Sequence, residues 1–171
     1  DTIVQANTMQ TMVTYLRDNP SLGGITCLMQ FPDGRPQPTC SMTPRYLDLI
    51  LGYTAIGALF STWRDARRTK MFYQDWQRDT IKSIEVAPGS NLMCPREILT
   101  QVDAFDETLK LYFPEDDLCR RILNQGHEIQ FIPSALLFHH EHASVQQVQR
   151  LASQIYFDDL LVFCEKYYGK F

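Results

Sequence analysis

The chain of 171 residues carries 16 Lys and Arg against 20 Asp and Glu, and its formal charge of −4 does not suit a protein whose main role is to neutralise phosphate backbone. At 44% hydrophobic and 12% aromatic, with 21% charged, the composition supports a packed core and excludes a disordered chain. The length fits one domain, since domains commonly run about 100–200 residues.

The opening Asp1-Thr2-Ile3-Val4 has no initiator Met, basic n-region or apolar h-region, so no signal peptide is expected, and the start reads as the middle of a larger unit. From Asn7, a predicted N-cap, Met9, Met12, Val13 and Leu16 recur at helical spacing until Asn19-Pro20 stops the pattern. Gly23-Gly24 is expected to be a turn. After it Ile25, Cys27, Met29 and Phe31 alternate with Thr26, Leu28 and Gln30 as in a strand, and Pro32-Asp33-Gly34 turns the chain again. Pro32, Pro36, Pro38 and Pro44 predict an extended, irregular connection.

Tyr46 to Phe60 is the most apolar stretch, yet it contains Asp48 and is shorter than the roughly 20 apolar residues a membrane span needs. From Trp63 to Lys82, Arg64, Arg67, Arg68, Lys70, Arg78 and Lys82 are mixed with Asp65, Asp75 and Asp79, and Trp63, Phe72, Tyr73 and Trp76 are interleaved among them. Such a mixture can rest on an anionic membrane surface or close over a sugar acceptor, and it can equally be a solvated loop whose aromatics pack back onto the domain.

Ser83 to Ala87 reads as a short strand, followed by the turn residues Pro88-Gly89-Ser90-Asn91. Pro95 suits the first position of a helix running through Val102, and Phe105-Asp106-Glu107 opens a loop. Pro114 starts a second helix, with Glu115, Asp116 and Asp117 where a helix N-terminus favours negative charge and Gly126 as its left-handed cap. Ile129 to Pro133 and Ala135 to Phe138 are expected as two strands. Ser144 is the predicted cap of a long final helix with one stripe of Val145, Val148, Leu151 and Ile155 and another of Tyr156, Leu160, Phe163 and Tyr167. The cysteines, Cys27, Cys40, Cys94, Cys119 and Cys164, are odd in number and form no Cys-x-x-Cys pair, so reduced, cytoplasmic thiols are the simplest reading.

Two polar clusters carry candidate chemistry. Glu115-Asp116-Asp117 can hold a general base if burial or a neighbouring acid raises one carboxyl, or it can merely complement the helix dipole. His139-His140-Glu141-His142 follows an apolar strand, where imidazole suits a divalent metal but can also bond a backbone carbonyl. Gly89-Ser90-Asn91 is either a backbone-rich substrate contact or only a turn.

The order of the pieces adds more than any one of them. Gly89 to Glu97, Val102-Asp103-Ala104-Phe105-Asp106-Glu107, Tyr112 to Arg121, Gly126-His127, Ile132-Pro133, and His139-His140 before Ser144 together resemble the C-terminal half of family 2 glycosyltransferases, especially bacterial rhamnosyltransferase-like members. Asn19-Pro20-Ser21-Leu22-Gly23 with Phe31-Pro32-Asp33-Gly34, and the ending Phe163-Cys164-Glu165-Lys166-Tyr167-Tyr168-Gly169, extend the resemblance over nearly the whole chain.

That resemblance implies an α/β, GT-A fold represented by its C-terminal portion, with a mixed sheet and a long C-terminal helix. Residues 1–171 would be the acceptor-side and catalytic-base part of one such domain, with the nucleotide-binding part preceding them. It further implies an inverting transferase that moves a sugar from a nucleotide-sugar donor, such as dTDP-rhamnose, to a hydroxyl of a glycan or lipid-linked acceptor in cell-surface polysaccharide synthesis. By the same resemblance Asp1 and His139 bind Mg²⁺ or Mn²⁺. Asp116 is the base with Glu115 the close alternative, and Asp117 and Arg121 orient it. Gly89, Ser90 and Asn91 meet the acceptor, helped by the aromatic and basic segment. Asp103 stands where the family often has Gly. The processive Gln-x-x-Arg-Trp motif is absent, which favours single additions. A cytoplasmic protein with peripheral contact at the inner face of the cell membrane follows, and nucleic acid is not an expected partner.

Two other readings stand beside this one. A binding or scaffold module that keeps the fold without the reaction is motivated by an acid motif one residue shorter than the family's Glu-Asp-x-Asp. A metallohydrolase using His139, His140 and His142 with Glu115 is disfavoured, because neighbours in an extended stretch point to opposite faces and only His140 and His142 would share a side.

Overall fold

A computed structural model describes residues 2–139 and 149–169. Asp1, His140, Glu141, His142 and the predicted cap Ser144 lie outside the described residues, as do Val145 and Val148.

The chain is α/β. Strand β1 (Thr2–Val4) leads to helix α1 (Thr8–Asp18) and strand β2 (Leu22–Gln30). Helices α2 (Tyr46–Tyr53), α3 (Ala55–Leu59) and α4 (Ser61–Met71) follow, then β3 (Lys82–Ile84), a 3₁₀ turn over Gly89–Asn91 and α5 (Arg96–Gln101). Helix α6 (Pro114–Asn124), strand β4 (Glu128–His139) and helix α7 (Gln149–Tyr168) complete it. The sheet is mixed and organised around β4: β2 runs parallel along one side of it, and β1 and β3 pair antiparallel with its two ends, Thr2 opposite His139 and Lys82 opposite Phe131. Among the described residues β1 is an edge strand, where Ile3 and Val4 are exposed.

The sheet is covered on both faces. On one, Met12 of α1 packs with Ile25, Cys27, Met29, Ile132 and Leu137. On the other, Ile98 of α5 and Leu118, Cys119 and Ile122 of α6 pack with Ile84, Ile129 and Phe131. A third cluster joins Leu49 of α2 to Leu160 and Cys164 of α7, so α7 docks across α2 and the start of α6. This uses the second predicted stripe of the final helix, whereas Leu151 of the first is exposed.

Several expectations are corrected. Gly23-Gly24 is not a turn but part of β2, because a Cβ at Gly23 would stand 2.3 Å from Ile122 Cγ2 and 2.7 Å from His127 Cβ: the glycine lets α6 approach the sheet. The two strands expected at 129–138 are one strand. Pro133 and Ser134 lie in an irregularity where the register jumps from Cys27 opposite Ile132 to Leu28 opposite Leu136. Tyr46 to Phe60 is two helices, parted at Thr54, whose Oγ1 donates to Ile50 O and accepts from the Ile56 N–H. Pro95 caps α5 from outside instead of opening it. Arg64, Arg67, Arg68 and Lys70 of the basic segment lie on α4, and the segment beyond Met71 is irregular up to β3. There Arg78, almost fully buried, donates to the carbonyls of Phe72, Tyr73, Trp76 and Thr39, and Trp76 packs edge-on against Phe131.

Gly23→Ala is expected to lower stability by roughly 1–3 kcal/mol through overpacking against α6. The measurement is the midpoint of chemical denaturation, and an unchanged midpoint would contradict the close approach.

Candidate active site

A cavity of about 600 Å³ lies between α4 and the N-terminus of α6. Glu115 and Asp116 stand on one wall, Arg64, Arg67 and Arg68 on another, and Tyr53, Tyr112, Phe113 and Tyr156 give it aromatic surface. Its remaining sides come from Asp48, Leu49, Leu51 and Gly52 of α2, from the Pro38–Pro44 connection and from Val86 to Pro88. Of the aromatic, basic segment, Arg64, Arg67, Arg68 and Phe72 line this cavity with Glu115 and Asp116, whereas Trp63, Tyr73, Trp76, Arg78 and Lys82 do not.

The acid wall is built by α6. Phe113 precedes it at φ 66°, Pro114 opens it, and the first turn carries all three acids. Buried Asp159 of α7 sets the approach: its carboxylate accepts from the backbone N–H groups of Lys110, Leu111 and Tyr112 at 3.1, 2.9 and 2.8 Å. Burial works to raise the Asp159 pKa, but these donors prevail and hold it below the ordinary aspartate value.

The three acids have separate fates. Asp117 is fully buried and faces the protein, where Arg121 Nη2 lies 2.6 Å from Oδ2, and Lys166 Nζ and the Tyr167 hydroxyl lie 2.6 and 2.5 Å from Oδ1. Desolvation opposes its charge, yet the bonds from Lys166, Tyr167 and Arg121 keep its pKa lowered. Lys166 also reaches Asp106 at 2.6 Å, and Arg121 donates to the carbonyls of Val102 and Ala104. The predicted supports Asp117, buried, and Arg121, partly buried, therefore form one unit that fixes α6 against α7 and the 102–106 loop.

Glu115 is raised by burial and restrained by hydrogen bonds from its own and the Gly89 backbone N–H. Asp116 faces the cavity with protein around most of it and only an edge open to water. Burial first, and the charges of Glu115 and then Asp117, push its pKa up to about 7. Of the two candidate bases, Asp116 is thus the one poised near neutrality, while Glu115 is tied to the turn at Gly89.

None of the predicted acceptor residues Gly89, Ser90 and Asn91 is among those that line the cavity. Gly89 is joined to Glu115, and Ser90 is exposed with its hydroxyl 3.9 Å from Met29 Sδ. Asn91 is structural instead. It is buried and its amide donates to Cys27 O at 3.0 Å, bracing the turn on β2, while Ala87 and Pro88 reach the cavity in its place.

His139 ends β4 and does not itself line the cavity, although Gln37, which holds it, precedes the lining residue Pro38. Buried Gln37 holds it from two sides, its Nε2 donating to His139 O at 2.8 Å and its Oε1 meeting Nδ1 at 3.2 Å. The carbonyl contact fixes which way the amide points, so its Oε1 is the atom that meets Nδ1. Holding one ring nitrogen by a second group is how proteins orient a metal-binding histidine. Among the described residues no group of three or more His, Cys, Asp or Glu side chains is placed to hold a metal, and Asp1, the other predicted ligand, lies outside them. The five cysteines are unpaired.

Sequence reasoning missed Asp159 and Gln37. Asp159 had a signal, since it interrupts the apolar stripe of Tyr156, Leu160 and Phe163. Gln37, in a proline-rich connection, had none.

Because the folded pKa of Asp116 lies above its unfolded value, its protonation favours the fold; that contribution is complete below the unfolded value of about 3.9 and is lost as pH rises through about 7. Asp116→Asn is therefore expected to gain roughly 1–3 kcal/mol over the parent chain on going from about pH 5 to about pH 8, read by chemical denaturation. A difference that stays constant with pH would place this carboxyl in water. In comparisons with known proteins, no family pattern matches the chain and no curated protein matches it.

Proposed function

We propose that this chain is the acceptor-side and catalytic-base portion of an inverting glycosyltransferase of the GT-A type. The observation that carries the reading is Asp116, a carboxyl shifted to about 7 in the wall of a cavity large enough for a sugar and lined with aromatic rings. Residues from three stretches of the family resemblance support it by meeting at one place: Asp106, Arg121 and Lys166 form a single ion-pair network with buried Asp117. Asp103 adds to this, because its φ of 61° is a conformation that favours the glycine often found there in the family. The pairing of Thr2 with His139 sets the residue after Asp1 opposite the second proposed metal ligand.

In the proposed reaction the acceptor hydroxyl gives its proton to an Asp116 carboxylate oxygen as its own oxygen bonds to the anomeric carbon of the donor. The bond from that carbon to the nucleoside diphosphate breaks, and the electron pair leaves with the diphosphate. One displacement inverts the anomeric centre. A bound Mg²⁺ or Mn²⁺ would neutralise the departing diphosphate, with Asp1 and His139 as its proposed protein ligands. A base titrating near neutrality is both ionised and strong enough to serve at the pH of a cell. A dTDP-deoxysugar donor and a glycan or lipid-linked acceptor belong to the same proposal.

In the intact gene product, Asp116→Asn is expected to lower kcat for metal-dependent sugar transfer by about 10²–10⁴-fold, and Glu115→Gln to cost less. Full activity in both variants sinks the base assignment. Calorimetry that finds no metal-dependent binding of a nucleotide sugar would favour a binding module that keeps the fold without the reaction.

Peripheral contact with the inner face of the cell membrane completes the proposal. Among the described residues no helix is long and apolar enough to cross a membrane. Leu59, Phe60 and Trp63, at 80%, 55% and 60% exposure, project where α3 meets α4, and Arg64, Arg68 and Lys70 follow. Apolar tips flanked by cations suit an anionic bilayer surface. The protein is expected to sediment with phosphatidylserine vesicles and to bind them about ten-fold less tightly as the Leu59→Ser, Trp63→Ser double variant. Failure of the parent to sediment removes this part.

A further inference from the structure

We propose that the cavity takes an acceptor that is itself anionic, a sugar bearing a phosphate or carboxylate, with the negative group held by Arg64 and Arg68 while a hydroxyl faces Asp116. Calling this ligand an acceptor rests on the transferase reading, but the binding itself does not require turnover.

The three arginines on the cavity wall are not equivalent. Arg67 is engaged, its Nε 2.7 Å from Asp48 Oδ1, a carboxylate largely shielded from water. Among the described residues Arg64 pairs only with its chain neighbour Asp65 at 2.9 Å, on the surface, where such pairs contribute little and exchange readily. Arg68 has no carboxylate partner among the described residues and lies over the Phe72 ring, 5.9 Å from its centroid.

Arg64 and Arg68 are four residues apart on α4, so they share one face of the helix, and both line the cavity. Two like charges at that spacing repel. Bringing an anion between them turns the repulsion into two sets of charge-assisted hydrogen bonds, and the planar guanidinium fork matches the paired oxygens of a phosphate or carboxylate. The acids across the cavity do not fill that role, since Glu115 is bound to Gly89 and Asp116 pairs with neither arginine. The volume of about 600 Å³ admits a sugar whose ring lies on the aromatic surface while a hydroxyl and an anionic substituent point to opposite walls.

The test uses the full chain and three probes with the same hexose ring: glucose 1-phosphate, glucuronate and methyl glucoside, with dissociation constants from titration calorimetry. At least one anionic probe is expected to bind about ten-fold tighter than methyl glucoside, and the tighter of the two assigns the anion as phosphate or carboxylate. The preference should fall to about three-fold or less in the Arg64→Gln, Arg68→Gln variant, and Arg68→Lys should retain only part of it because a lone ammonium lacks the fork. Since α4 buries no residue, these substitutions leave the fold standing, which melting curves check. Equal binding of charged and neutral sugars overturns the inference, as does a preference that survives the double variant. Displacement of the sugar phosphate by a nucleoside diphosphate also overturns it, by assigning the arginines to the donor. Absence of sugar transfer with the preference intact would count against the transferase reading alone.

Discussion

A buried carboxylate is tolerated in a protein interior only when its oxygens are fully engaged, and Asp117 meets that condition with donors from Arg121, Lys166 and Tyr167. Removing one donor would strand the charge, so all must stay together, and their positions in sequence are far apart. Arg121 is one helical turn along α6, and Lys166 and Tyr167 are at the far end of α7. Through Lys166 and Arg121 the same unit grips Asp106 and the carbonyls of Val102 and Ala104. The place where α6 begins is therefore set by electrostatics as much as by packing, and every residue of its first turn inherits its direction from that anchor.

Adjacent positions on a helix point about 100° apart, which is how one short run of acids acquires opposite properties. Asp117 points inward to cations and is held ionised. Asp116 points to the cavity, meets no cation among the described residues, and is pushed toward the neutral form by burial and by its acidic neighbours. Asp159 performs a related service one layer out: by collecting three backbone N–H groups it fixes the loop that carries Tyr112 and Phe113 to the cavity. The C-terminal helix thus works as a clamp, holding the acid wall at several points along its length.

Much of this was legible in the sequence wherever a feature depended on local periodicity or on a residue with one conformational habit. Pro114 and the acids marked the start of α6, Gly126 marked its end, and the stripe of Tyr156, Leu160 and Phe163 named the buried face of α7. The failures share a cause in contacts distant along the chain. Gly23-Gly24 looks like a turn until one knows that Ile122 and His127 need the missing side chain's space, and Pro133 looks like a strand end until β2 is seen to pair on both sides of it. Asn91 resembled a substrate contact because nothing local reveals that its amide is spent on Cys27. Gln37 was invisible for the same reason, since its partner is His139.

The two walls of the cavity differ in how they are attached. The acid wall is bonded into the core through Asp117, whereas α4 contributes no buried residue and is tied down mainly by Arg67 to Asp48 and by the bond from Met42 N–H to Met71 O. Segments with little buried surface open locally at a free energy well below that of global unfolding, and their amides exchange with solvent first. The arginine wall can therefore fluctuate as its own cooperative unit while the carboxyl wall stays in register, so an occupant can enter and leave without any loosening of the sheet or of the buried charge that orients Asp116.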